Sequence, residues 1–182
     1  MKNPYATLEQ TTYEFKEKYE NIELIIYSIA VFAIPLLVPH PQFLTGTIVN
    51  AFLIMGALHF KGWKVLPLVI LPSAAAILSG ALFGPFTLFI VYMMPVIWMG
   101  NLLLVYLFKK LHIAQNMNYW ATVGISAIAK SALLFGAAFL FVNLDILPTI
   151  FLSAMGLMQL GTAIAGGIAA FGMRYAYIHL LK

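Results

Sequence analysis

The chain has 182 residues, of which 63% are hydrophobic and 9% are charged, and its mean hydropathy is +0.95. Soluble domains carry about 25% charged residues, so this composition excludes a soluble protein and predicts an integral membrane protein. The net charge of +4 indicates no nucleic-acid partner, because the one-sided placement of cations in a membrane protein accounts for it.

The first 21 residues precede the apolar pattern and form a charged, amphipathic segment. Four glutamates alternate with lysines there, unlike the short basic leader of a signal peptide. Apolar residues recur at near-helical spacing at Leu8, Phe15, Tyr19 and Ile22. The segment is either a helical extension of the first span at the cytoplasmic surface or a docking face for a partner. We therefore divide the chain into a cytoplasmic segment, 1–21, and a transmembrane domain, 22–182.

Six apolar stretches have the length needed to cross a bilayer. They are Ile22–Val38, Phe43–Phe60, Val65–Leu82, Phe86–Phe108, Tyr119–Val142 and Pro148–Tyr177. The sequence thus predicts an all-α integral membrane protein with six transmembrane helices. Because the spans use nearly all of the chain, any ATPase that works with this protein must be another chain.

Cationic residues alternate between the connections. They lie in the N-terminal segment, the second and fourth connections and the C-terminal end, at Lys2, Lys16, Lys18, Lys61, Lys64, Lys109, Lys110, Arg174 and Lys182. The first, third and fifth connections have none. The positive-inside rule therefore predicts a multi-pass protein of the cell membrane with both termini in the cytoplasm.

Prolines and small residues indicate kinked, closely packed spans. The prolines within spans leave carbonyls that neighbouring protein must satisfy; they are Pro35, Pro67, Pro72 and Pro95. Two rows of small residues predict buried helix faces. The third span has Ala76, Gly80 and Gly84, and the sixth has Gly156, Ala163, Gly166, Gly167 and Ala170.

Lys130 is the one cation in the middle of a span. It lies roughly 18 Å from the cytoplasmic end of its helix at 1.5 Å per residue. An ionisable group at that depth normally faces protein or a wet cavity. The face with Lys130 is predicted to point inward and comprises Val123, Ser126, Ala127, Lys130, Leu134 and Ala137. Lys130 either contacts a ligand in a cavity, or it snorkels or hydrogen-bonds to exposed carbonyls near one of the kinks.

A substrate pocket is predicted among the fourth, fifth and sixth spans. Met94, Trp98 and Asn101 share a stripe of the fourth span, and Gln159 projects from the sixth near mid-depth, close to two methionines. With Lys130 they would surround a small, partly apolar solute that has an anionic or strongly accepting group. For Asn101 and Gln159 the alternative is hydrogen bonding between helices without a ligand.

Asp145 is the only acidic residue outside the N-terminal region. It lies in the external connection before the sixth span. One interpretation places it at the mouth of the pocket. The other is that Asp145 or Asn143 caps the sixth helix.

The sequence has no recognisable catalytic or metal-binding arrangement. Cysteine is absent, which excludes thiolate chemistry and disulfides. The four histidines, His40, His59, His112 and His179, lie in connections and span ends without metal-ligand spacing. No serine–histidine–acid grouping, phosphate-binding glycine loop or pair of intramembrane carboxylates is found. We therefore predict no enzyme activity, no cofactor and no metal site.

Four segments resemble the substrate-binding S components of energy-coupling factor (ECF) transporters. They are Leu71–Pro85, Met94–Asn101, Ala129–Ser131 and Gln159–Gly167, and they cover spans three to six. The resemblance implies a prokaryotic membrane protein that binds a vitamin-like metabolite from outside and releases it by toppling within an ATP-driven complex. In one respect the chain differs: such proteins often carry an Ala-xxx-Ala row on the first span, whereas Ala30 and Ala33 are three residues apart.

The leading hypothesis is therefore a substrate-binding subunit that works with a coupling protein and ATPases in other chains. A membrane enzyme or assembly factor acting on a lipid-soluble substrate is the second. The third is a structural subunit whose Lys130 pairs with another chain.

Overall fold

The structure, a computed structural model, describes residues 4–12 and 17–180 and is built of helices. The α-helices are α1 (Pro4–Leu8), α2 (Glu17–Leu37), α3 (Gln42–His59), α4 (Leu66–Ser79), α5 (Ile90–Leu107), α6 (Tyr119–Asn143), α7 (Ile150–Met155) and α8 (Leu157–Leu180). Short 3-10 helices at Gly62–Val65 and Gly84–Phe89 precede α4 and α5, and a π-helix at Phe108–Ala114 follows α5.

Six helical stretches are long and apolar enough to cross a membrane, which confirms the predicted fold class. They are Tyr19–Leu37, Gln42–His59, Gly62–Ser79, Gly84–Ala114, Tyr119–Asn143 and Ile150–Ala176. The first begins earlier than the predicted Ile22 because α2 already starts at Glu17, so the helix carries two glutamates ahead of its apolar part.

The N-terminal segment does not extend the first span as a continuous helix over its described residues. α1 ends at Leu8, and the amide of Thr12 then donates to the carbonyl of Leu58 at the end of α3, 2.8 Å away. Leu8 is buried. Residues 4–12 therefore fold over one end of the bundle, whereas the predicted contribution of Phe15 lies outside the described residues.

In the third span, the predicted small-residue row is wrong at its two glycines, which form a turn after α4, whereas Ala76 is buried as predicted. Gly80 caps α4 in the left-handed region with φ 65°, and Gly84 has φ 56°. A Cβ atom at either position would meet nothing within 4 Å. Their role follows from the backbone freedom of glycine at positive φ, which the turn between α4 and α5 requires.

The corresponding prediction for the sixth span is confirmed. A Cβ atom on Gly166 would lie 2.6 Å from the Cβ of Asn50, and one on Gly167 would lie 2.5 Å from Val123. α8 therefore approaches both α3 and α6 at backbone distance, as small residues allow in lipid. The inward face of α6 is also confirmed from Val123 to Leu134, where its residues are almost fully buried, whereas Ala137 is partly buried.

The sixth span is broken at Gly156, which separates α7 from α8. Its φ of −95° and ψ of −98° interrupt the helix, and a Cβ atom there would lie 2.8 Å from the carbonyl oxygen of Leu152. Neither Asp145 nor Asn143 caps the sixth span, so that prediction is wrong. Asp145 is exposed with φ 55°, and the Asn143 amide donates to Phe139 O at the end of α6.

The predicted cytoplasmic connections meet at one end of the bundle, which we call the cationic end. It comprises residues 4–12, the second and fourth connections and the end of α8. Lys64 pairs there with Glu20 at 2.8 Å, and an Arg174 nitrogen lies 3.2 Å from His112 Nε2. At the opposite end, His40 Nε2 lies 2.8 Å from Ala81 O and joins the first and third connections. Which end faces the cytoplasm stays a prediction.

Candidate functional site

A cavity of about 100 Å³ lies between the six spans, and all six contribute to its wall. One water molecule needs at least about 10–15 Å³, so the space admits several waters or a small solute. Its polar residues are Gln42, Thr45, Asn50, Ser73, Asn101, Lys130, Gln159 and Thr162. Leu82 and Phe83 from the third connection also line it, so the cavity extends toward the end opposite the cationic end.

Lys130 reaches the cavity from α6 and is almost completely buried, with 2% of its surface exposed. Its Nζ donates to Asn50 Oδ1 of α3 at 2.6 Å. Among residues 4–12 and 17–180, this is the one hydrogen bond of the ammonium, and no carboxylate lines the cavity. An ammonium can donate three hydrogen bonds, so Lys130 keeps donor capacity for a further acceptor.

Asn50 connects Lys130 to α8 and holds its own orientation through two donated bonds. Its Nδ2 donates to Gly46 O at 2.9 Å and to Thr162 Oγ1 at 3.2 Å. The Thr162 hydroxyl donates in turn to Gln159 O at 3.2 Å. This arrangement requires the amide oxygen of Asn50 to face the ammonium, so α3, α6 and α8 meet in one polar cluster on the cavity floor.

Asn101 and Ser73 add a second polar group from α5 and α4. The Asn101 Nδ2 donates to Val69 O at 3.0 Å, next to Leu68, whose carbonyl loses its helical donor because Pro72 has no N–H. The Ser73 hydroxyl donates to Ile70 O at 3.0 Å and accepts from Trp98 Nε1 at 2.7 Å. Polar groups thus reach the cavity from α4 and α5, and two hydrogen bonds donated by α5, from Asn101 and from Trp98, join the two helices.

The break at Gly156 brings Met155, Met158 and Gln159 to the cavity wall. Gln159 is half-buried, and over the two described ranges its side-chain amide has no hydrogen-bond partner. A helix interrupted inside a membrane is tolerated where its backbone lines a cavity. The break therefore supplies an amide and two polarizable thioethers to the same space that Lys130 faces.

Three of the five predicted ligand residues meet in this cavity, namely Lys130, Asn101 and Gln159. Trp98 and Met94 do not line it, which corrects the predicted aromatic wall. The Trp98 indole is turned toward α4 by its bond to Ser73, and Met94 packs in an apolar cluster around Met93. Whether the three residues bind a ligand stays a prediction.

Sequence reasoning missed Asn50 and Thr162 as members of the site. Asn50 was detectable by the argument applied to Lys130, because an amide inside the second span needs a protein or ligand partner. That Asn50 faces Lys130 depends on the packing of α3 against α8 and could not be seen in either helix alone. Thr162 gave no separate signal, since threonine is common at helix contacts in membranes.

Over the described ranges, the cavity lining includes one basic residue, Lys130, and no acidic residue. The acidic residues of the described chain lie at the two ends of the bundle, and no cluster of His, Cys, Asp or Glu that could hold a metal is present among the described residues. Comparison with protein-family models, with curated proteins and with solved structures finds no match. The class that the fold itself defines is a six-span, all-α membrane protein.

Proposed function

We propose that this protein is a membrane-embedded substrate-binding subunit for the uptake of a small, vitamin-like metabolite. The observation that carries the proposal is a buried ammonium that faces a cavity without a carboxylate. Lys130 lines the cavity and, within the described residues, donates to one amide oxygen, Asn50 Oδ1. An ionisable group in mid-membrane is costly, about 2.5–3.5 kcal/mol on insertion scales, and an anionic ligand would offset that cost.

The cavity wall suits a solute with one accepting group and an apolar body. Around the polar floor of Lys130 and Asn50, the wall includes Ile97, Met155 and Met158. Methionine adapts to irregular apolar shapes, while Gln159 and Asn101 provide amides to orient polar edges. This combination favours a compact carboxylate or a similar electron-rich metabolite over a bulky or cationic one.

Uptake against a gradient would require energy from other chains. The cavity holds no carboxylate that could couple solute movement to an ion, within the part of the chain that the structure describes. The likeness of four segments to ECF S components supports a partnership with a coupling membrane protein and ATPases. In liposomes the purified protein alone should bind solute without concentrating it. Ion-driven accumulation by this chain alone would favour a secondary transporter instead.

A structural role for Lys130 is the second candidate, and one observation favours it. The hydrogen bonds from Lys130 to Asn50 and from Asn50 to Thr162 join three helices. Such a cluster could stabilise the bundle, or a complex with another chain, without any solute.

Native mass spectrometry of the purified protein distinguishes these functions. We expect a retained small molecule in the wild type, and its mass identifies the probe for binding measurements. Lys130→Met keeps the stem but removes the charge, so affinity should fall by about 1.5–3 kcal/mol, the scale of a charge-assisted hydrogen bond. Lys110→Met, at an exposed lysine outside the cavity, is the matched control and should bind normally. Unchanged binding by Lys130→Met together with a lower melting temperature would establish the structural role.

A further inference from the structure

A second recess, which we call the lateral groove, lies on the outer surface of the bundle near the cationic end. Its volume is about 450 Å³. It is lined by Leu8, Trp63, Met99, Leu102, Leu103, Tyr106 and Leu133. Met99 and Trp63 are more than half exposed, at 59% and 54%, so the lateral groove opens to the surroundings of the bundle and not to the central cavity.

The position of the lateral groove determines what can enter it. From Tyr106 to Met99 it follows α5 for about 10 Å at 1.5 Å per residue. Five of its seven lining residues belong to the fourth and fifth spans, so most of the groove lies at the depth of lipid chains. Trp63 and Tyr106 are at the end near the cations, where amphipathic aromatic rings mark the membrane interface. A bilayer presents one abundant molecule to such a recess, a phospholipid with its acyl chain along the wall.

Lys110 places a positive charge at the interfacial end of the lateral groove. Its Nζ lies 5.8 Å from the centre of the Tyr106 ring, within the range of a cation–π contact. The side chain is exposed, and over residues 4–12 and 17–180 no carboxylate pairs with it. The neighbouring Lys109, in contrast, is buried and bonded to two carbonyls. Lys110 is therefore available to a headgroup at the depth of Tyr106.

We propose that the lateral groove binds one anionic phospholipid, with an acyl chain against Leu103 and Met99 and the phosphate near Lys110. The aromatic residues hold the interfacial end, and the ammonium selects for negative charge. Binding at this surface is separate from the central cavity, so it does not depend on the proposed uptake function. The lipid would also contact Leu8 and so connect α1 to the fourth and fifth spans.

The test uses the full-length protein in detergent with equal amounts of phosphatidylglycerol and phosphatidylcholine of the same acyl chains. Native mass spectra should show one retained phosphatidylglycerol in preference to phosphatidylcholine. Lys110→Gln should lower that preference about fivefold, since a surface lysine contributes about 1 kcal/mol toward anionic lipid. Lys110→Arg should retain it.

Variants that fill the lateral groove distinguish lipid bound at a specific site from lipid bound anywhere on the outer surface. Leu103→Trp should reduce retention of both lipids, and Met99→Trp, at an exposed position, provides a second filling variant that does not disturb the core. Ile128→Trp is the matched control, because Ile128 is 60% exposed outside the groove. Equal retention in the groove and control variants, or an unchanged headgroup preference in Lys110→Gln, would overturn the proposal. A dimer that Leu103→Trp abolishes would instead assign the lateral groove to a second copy of the chain.

Discussion

Two buried lysines in this bundle differ in how their charge is accommodated. Lys109 has no exposed surface, and its Nζ donates to Gln10 O at 2.6 Å and to Phe60 O at 2.7 Å. Glu9 and Glu20 lie close enough to attract its charge. Lys130 is buried as deeply, yet it has one acceptor, Asn50 Oδ1, and faces open space. Both lysines are thus buried, but in the part of the chain that the structure describes Lys109 has two hydrogen-bond acceptors and Lys130 has one.

The number of acceptors around each lysine indicates which of the two is a candidate for function. The hydrogen bonds of Lys109 fasten the N-terminal segment to the end of α3, so the ammonium acts as a link between two pieces of backbone. An ammonium can donate three hydrogen bonds, and within the described residues Lys130 uses one of them. This spare donor capacity beside a cavity makes Lys130 the candidate for ligand binding, and the predictions below test whether the two lysines differ in role.

The largest expected effect is all-or-none and concerns the side of the membrane on which each lysine lies. Single cysteines can be introduced into this cysteine-free chain and treated with an impermeant thiol reagent on intact cells. We expect labelling of Gln42→Cys and Asn143→Cys, because the cation-free connections should be external. Lys61→Cys and Lys110→Cys should label only after permeabilisation. The reverse pattern would place Lys109 outside and turn the cavity toward the cytoplasm.

Replacing Lys109 should cause the largest loss of stability. Lys109→Met leaves the buried carbonyl of Phe60 and that of Gln10 without their donor, and we expect the free energy of unfolding to fall by about 3 kcal/mol. Limited proteolysis should also cut within residues 4–12 more rapidly. Lys110→Met, one residue away and exposed, is the control and should change stability by less than about 0.5 kcal/mol. Equal stability of the two variants would show that Lys109 does not stabilise the contact between the N-terminal segment and the end of α3.

Much of the fold could be predicted because the bilayer restricts the choices. Backbone groups in lipid must be satisfied within each segment, so hydropathy alone located the six spans to within a few residues at most of their ends. The ends of the elements were less predictable. Gly80 and Gly84 resembled a packing row in the sequence, yet they provide the positive φ values of a turn. The break at Gly156 could not be distinguished from close packing by a glycine.

Part of the candidate site could be predicted, because some of its residues are unusual in a membrane span and others are not. Lys130, Asn101 and Gln159 are costly in lipid as single residues, so each is conspicuous in the sequence. Trp98 was misplaced because its orientation depends on Ser73 of another helix. The role of Lys109 was also missed, since a lysine at a span end usually extends to water, and its burial depends on the fold of residues 4–12.

A double-mutant cycle measures how strongly Lys130 depends on its one acceptor. Asn50→Leu should cost about 2 kcal/mol of unfolding free energy, because the ammonium then lacks its protein partner. In the Lys130→Met background the same change should cost less by about 1–2 kcal/mol, which is the coupling between the contacting residues. Strictly additive losses would mean that Asn50 stabilises α3 and α8 through Thr162 and Gly46 without serving Lys130.

The smallest expected effect is on stability and comes from two buried serines, which differ in hydrogen bonding as the two lysines do. Ser126 lies one turn from Lys130 on α6, and within the described residues its Oγ has no hydrogen-bond partner. Ser73 Oγ, by comparison, is bonded to Ile70 O and to the Trp98 indole. Ser126→Ala removes an unsatisfied hydroxyl, so the free energy of unfolding should stay constant or rise by up to about 1 kcal/mol. Ser73→Ala, chemically the same change, should lower it by about 1–2 kcal/mol, because the indole N–H loses its acceptor. A larger loss for Ser126→Ala than for Ser73→Ala would mean that Ser126 has a partner such as an enclosed water, and the polar floor beside Lys130 would then extend farther toward the cationic end than the cavity does.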